Sequence, residues 1–113
     1  MFVRLDKVGG SCVVVMVMTA SREEAEKISK RLLEERLIAC ANILGPAFSL
    51  FRWAVQIERA EEYALLMKSR LDLFESIAET VRTLHSYEVP EIVALPILKG
   101  SAAYMDWVEE CLR

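Results

Sequence analysis

Two alternating runs stand close together in mid-chain. Phe51, Trp53, Val55 and Ile57 alternate with Arg52, Ala54, Gln56 and Glu58, and Tyr63, Leu65 and Met67 alternate with Ala64, Leu66 and Lys68. A period of two puts successive side chains on opposite faces of a strand. The charged link Arg59-Ala60-Glu61 separates the runs, so the pattern predicts a long antiparallel hairpin turning at 59–61. The ends of such a hairpin outrun the core of a single small subunit and can reach a neighbour.

Helical signals flank this hairpin. Ser21 and Glu24 have the S-x-x-E spacing of a capping box. Ala25, Ile28, Leu32 and Leu33 recur behind them at helical spacing, which predicts an amphipathic helix from Ser21 to about Arg36. Asp72 and Glu75 form a similar pair before Phe74, Ile77, Ala78, Val81 and Leu84, the stripe of a second helix. Cys12 to Met18 is rich in β-branched residues and reads as a buried first strand. A short signal peptide is the alternative, opposed by Asp6 and by Gly9-Gly10 before the run. Gly45-Pro46 marks a bend in the strand region that opens at Ala39. Glu91 to Leu95 reads as a last strand that Pro96 ends, and Ser101 as the N-cap of a tail helix carrying Ala103, Trp107, Val108 and Leu112.

The order is strand, helix, strand, strand, helix, strand, tail helix. Right-handed crossovers leave few ways to join these elements, and the favoured one is an α+β, ferredoxin-like βαββαβ subunit with both main helices on one face of an antiparallel sheet. The chain has 113 residues, which suits one domain over 12–113 behind an N-terminal lead-in over 1–11. Its hydrophobic fraction of 54% excludes intrinsic disorder and exceeds what one small core hides, so an oligomer is expected.

Charge and cysteine usage exclude several classes. Fourteen basic against 17 acidic residues give a net charge of -3, without the basic field that nucleic-acid binding uses. No run nears the roughly 18 apolar residues that span a bilayer, so no membrane role is expected. Cys12, Cys40 and Cys111 fit neither a disulfide scaffold nor a zinc ribbon, and a reducing, cytoplasmic setting is the simpler reading. No P-loop, dinucleotide fingerprint, zincin motif or nucleophile elbow occurs. The single histidine, His85, lies in Leu84-His85-Ser86-Tyr87-Glu88-Val89-Pro90-Glu91, which gathers an imidazole, a phenol and carboxylates on one loop. A binding role and a structural one, with His85 capping a helix and Tyr87 packing, both fit that loop. Cys40 reads as a small buried residue or, beside His85, as a nucleophile.

Several segments in one order resemble the CutA family of divalent-cation-tolerance proteins. They are Glu34-Glu35-Arg36-Leu37-Ile38-Ala39-Cys40-Ala41-Asn42-Ile43, Ser49-Leu50-Phe51-Arg52-Trp53, Glu62 through Lys68, His85-Ser86-Tyr87-Glu88-Val89-Pro90-Glu91-Ile92 and Tyr104-Met105-Asp106-Trp107. The resemblance implies a ferredoxin-like subunit in a homotrimer whose hairpins pack across subunits; an enzyme using Cys40 is the weakest of the readings, and no enzymatic activity is expected. It also implies a role in metal tolerance, with copper or another divalent cation, or a small anionic ligand, held in clefts between subunits. The cleft positions it implies are Trp53, Glu62, Lys68, His85, Tyr87 and Glu91, with Cys40 nearby. Copper-binding members have a Cys-Thr-Ala start and a His-His pair, where this chain has Met18-Thr19-Ala20 and Leu84-His85. His85 and Met18, whose thioether suits Cu(I), are then the metal candidates. Ser86 stands where the family has proline and Val55 where it has glycine, which predicts a looser 85–91 loop and a straighter hairpin. The competing expectation is a stable trimeric scaffold or signalling protein with no metal site.

Overall fold

The computed structural model of the chain describes residues 11–113. Most of the expected lead-in, residues 1–10, lies outside the described residues. The elements are β1 (Cys12–Thr19), α1 (Arg22–Glu34), β2 (Cys40–Trp53), β3 (Gln56–Arg70), α2 (Phe74–Leu84), β4 (Ile92–Pro96) and α3 (Ala102–Cys111), with a 3-10 turn at Leu71–Leu73. The strands form one antiparallel sheet in the order β2-β3-β1-β4.

The alternation of β1 decides which face is core. Val13, Val15 and Val17 are buried with Leu65 and Met67 of β3 against Ile28 and Leu32 of α1 and Ile77 and Val81 of α2. Removing this apolar surface from water is the main drive for docking the helices on the sheet. The even-numbered positions of β1 and β3 form the opposite face, which carries no main helix. α3 covers only one end of it, where Val108 and Leu112 pack with Ala39, Cys12 and Cys111.

The hairpin turns earlier than expected. Trp53 pairs with Gln56, so Ala54 and Val55 form a two-residue loop, while Arg59, Ala60 and Glu61 lie inside β3. Ala54 takes φ 56°. Mirror-image turns need positive φ at that first loop position because their twist matches that of the strands. The departure at Val55 therefore sits beside the strained residue, not on it. β1 reaches along β3 only to Tyr63, so from there to the turn β2 and β3 run as a two-stranded ribbon. Gly45-Pro46 interrupts the pairing between Leu44 and Ala47. A Cβ on Gly45 would stand 2.6 Å from Tyr63 Cδ2, so the backbone needs glycine there.

The caps differ in part from the motif reading. Ser21 Oγ accepts from Glu24 N at 3.1 Å, as a capping box requires. Glu24 does not return the bond to Ser21; its Oε1 accepts from Ala20 N at 2.9 Å and its Oε2 from Ser86 N at 2.6 Å. Asp72 caps no helix: a 3-10 turn precedes α2, and Asp72 Oδ1 accepts from Arg70 Nε at 2.7 Å. Ser101 occupies the N-cap of α3 without a side-chain bond. Past α1, Arg36 takes φ 58° and its amide bonds Leu33 O while that of Leu37 bonds Leu32 O. This Schellman turn usually uses glycine. Here the arginine side chain donates to Cys111 O at 3.1 Å and Glu110 O at 3.0 Å, satisfying carbonyls at the end of α3.

Candidate functional site

The loop after α2 is fastened by His85. Its imidazole is fully buried. Nε2 lies 2.7 Å from Met18 O and Nδ1 lies 3.0 Å from Tyr87 N. A carbonyl only accepts and an amide only donates, so Nε2 carries the proton and Nδ1 offers its lone pair to Tyr87. His85 is also the C-cap of α2, its amide bonding Val81 O. The second bolt is Glu24, through Ser86. Burial alone would raise the Glu24 pKa, but hydrogen bonding from the Ala20 amide and from the side chain and amide of Ser86 outweighs it and holds the carboxylate below its usual range. Glu24 was legible only as a helix-cap residue; nothing local to it signals a contact 62 residues away.

The bolted loop presents Tyr87 to the ribbon. Its hydroxyl donates to Glu62 Oε2 at 2.9 Å. Glu62 is 8% exposed, and its Oε1 has no hydrogen-bond partner among the described residues. Burial, then the hydrogen bond to Glu62 and the charges of Glu62 and Glu24, push the Tyr87 pKa up to about 12. The phenol is thus neutral at pH 7 and acts as a donor.

Between loop and ribbon lies a cleft of about 890 Å³. Trp53, Glu62, Tyr87 and Glu91 line it, as does Met18. Glu88, the other carboxylate of the 84–91 loop, lines it too, and so do Phe51, Glu58 and Arg59, which no sequence signal marked as site residues. Phe51 and Glu58 are cross-strand partners, so they share a ribbon face, and strand register is what could have paired them. Four carboxylates and one guanidinium line the cleft.

The other expected residues lie elsewhere. Lys68 shares a β3 face with Glu62, but six residues separate them, about 20 Å along the strand. Lys68 Nζ donates to Asn42 Oδ1 at 3.2 Å. Cys40 pairs with Lys68 across the strands, and its Sγ lies 3.6 Å from the Tyr104 hydroxyl. Leu44, four residues along β2, is the position level with Met18, which puts Cys40 about 13 Å from that row. The Cys40–His85 pair that a nucleophile would need is not formed.

The metal candidates do not fit as a site within one chain. Both His85 nitrogens already serve backbone groups. Among the described residues, no three His, Cys, Asp or Glu converge closely enough to hold a metal ion.

A four-stranded antiparallel sheet with both main helices on one face and a polar cleft where ribbon meets loop defines a ferredoxin-like α+β subunit. The sequence profile of the CutA1 divalent ion tolerance protein matches residues 13–111. The divalent-cation tolerance protein CutA of Thermus thermophilus is 44% identical over 97 residues, covering 86% of this chain and 94% of the relative. The solved CutA1 structure from the same organism superposes with a TM-score of 0.88 at 42% identity, over 90% of this chain and 99% of that one. The structure of the periplasmic divalent cation tolerance protein CutA from Archaeoglobus fulgidus gives 0.88 at 40%, over 90% and 99%. The chain belongs to the CutA1 divalent ion tolerance family.

Proposed function

We infer that the chain acts in divalent-cation tolerance as a cytoplasmic, non-enzymatic homotrimer that binds a cation in clefts between subunits. The cleft of Trp53, Glu62, Tyr87 and Glu91 carries this reading, because it holds four carboxylates against one guanidinium. Glu62 binds the cation and Tyr87 orients it. His85 is a positioning residue. A divalent metal there needs donors from more than one copy, since one chain gathers no set of three among the described residues.

Isothermal titration tests it, with Cu(II) first and Zn(II) and Mg(II) after it. The expected result is saturable binding that weakens at least about ten-fold, or 1.4 kcal/mol, in Glu62→Gln. His85→Ala is expected to weaken binding less than Glu62→Gln does. Absence of saturable heat with all three ions overturns the reading. A trimeric scaffold without a ligand is the second reading, favoured by the occupation of both His85 nitrogens, and that same silent titration is what it expects.

A further inference from the structure

His85 fastens the 85–91 loop through a proton arrangement that has one alternative. Its Nε2–H donates to Met18 O and its Nδ1 lone pair accepts from Tyr87 N, so the ring is neutral and both nitrogens are in use. The ring is also fully buried. A second proton can enter only at Nδ1. It sets two donors, Nδ1–H and Tyr87 N–H, 3.0 Å apart and facing each other. Buried donors with no acceptor between them are costly, so one of the two must leave.

An acceptor stands ready on α1. Glu24 Oε1 lies 3.9 Å from Nδ1, about 1 Å beyond hydrogen-bonding distance. Its carboxylate, held below the usual range, stays charged where imidazoles take up a proton, between about pH 5 and 8. Among the described residues, the other ionisable groups on this side are Tyr87, whose ring centroid is 4.8 Å from that of His85, and Glu62 of β3 behind the Tyr87 hydroxyl. From β1 the ring meets the Met18 carbonyl.

We propose that His85 is an acid-operated latch: a proton on Nδ1 exchanges the Tyr87 amide for Glu24 as the partner of the ring, and Tyr87 then leaves Glu62. One residue links the two events, since Tyr87 carries both the amide on His85 and the hydroxyl on Glu62. Acid therefore opens the wall of the cleft that the loop forms. The consequence for a bound cation rests on the cleft reading above.

The test needs no ligand. His85 is the single histidine of the chain, so its ring gives one set of nuclear magnetic resonance signals, followed in EDTA from about pH 8 to about pH 5. At the upper end the ring nitrogen shifts are expected to place the proton on Nε2. As the ring protonates, the Tyr87 amide is expected to lose about ten-fold of its protection from hydrogen exchange, at the same midpoint. His85→Asn cannot take the proton but keeps an oxygen able to accept from the amide two residues on, so its Tyr87 protection should not change with pH. Glu24→Gln removes the charge that receives Nδ1–H, and the midpoint should fall. A ring that titrates while Tyr87 stays protected overturns the latch, as does a ring that stays neutral throughout. A Tyr87 response that persists in His85→Asn, or a midpoint unmoved in Glu24→Gln, overturns it too. All these signals are read without metal, so a failed latch leaves the cation cleft standing and a silent metal titration leaves the latch.

Discussion

A single hydroxyl joins the loop to the ribbon, so Tyr87 is where the integrity of the cleft can be measured. Replacing it with phenylalanine keeps the ring and leaves Glu62 without its donor. Losing a hydrogen bond to a buried carboxylate costs about 1–3 kcal/mol. The pH dependence carries a sign of its own. The folded-state pKa of Tyr87, about 12, lies above its unfolded value near 10. Stability from this shift is fully present below pH 10 and is lost as pH rises toward 12. Urea midpoints at about pH 8 and about pH 11, on either side of the unfolded value, should show Tyr87→Phe less stable than the parent at the lower pH, with the gap narrowing at the higher one. A gap of equal size at both values means that folding does not raise the pKa of the phenol.

Among the elements, the hairpin turn shows what the sequence conveys and what it hides. A two-residue loop preserves even spacing, so the alternation of Phe51, Trp53, Val55 and Ile57 passes through the turn without a break in phase. Neither Ala54 nor Val55 carries a turn signal, whereas Arg59-Ala60-Glu61 is as polar as a turn and lies in a ribbon whose sides both meet solvent. Strand identity and order were legible because buried faces impose period on the residues. The turn position was not, because no buried contact marks it. The cleft was half legible in the same way: the 85–91 loop announces its polar groups locally, but the use of His85 on Met18 O is a contact across 67 residues that no local pattern encodes. Ala54 supplies the prediction at this scale. A non-glycine residue in the left-handed region costs about 1–2 kcal/mol, and glycine gives back about 0.5–1 kcal/mol through unfolded-state entropy. Ala54→Gly should therefore raise stability by up to about 1 kcal/mol in a denaturant melt, and Val55→Gly should lower it or leave it unchanged. The reverse ranking would place the positive φ at Val55, where the family resemblance put its glycine.

At the scale of the whole molecule the ribbon is the unsolved part of a lone subunit. A two-stranded hairpin is marginal in water unless a third strand or a packed face supports it. Beyond Tyr63 no third strand pairs with it among the described residues, and the molecule extends 50 Å in its longest direction against 28 and 23 Å in the others. Phe48 is 83% exposed, Leu50 and Ile57 on the same ribbon face are also open to solvent, and Val55 at the turn is 92% exposed. An exposed apolar surface of this kind marks an interface. In the proposed homotrimer a threefold axis gives each ribbon a neighbour and leaves no unfilled position, because a head-to-tail contact is then closed into a ring. Sedimentation velocity at micromolar concentration should then show one species of three 12.9 kDa chains. Phe48→Glu puts a charge on the ribbon without touching the core of α1, α2 and β1, so it should shift the distribution toward smaller species while the far-ultraviolet dichroism of the subunit persists. A parent chain that sediments as a folded monomer would show that the ribbon is stable uncovered, and the cation cleft would then have to be complete within one copy.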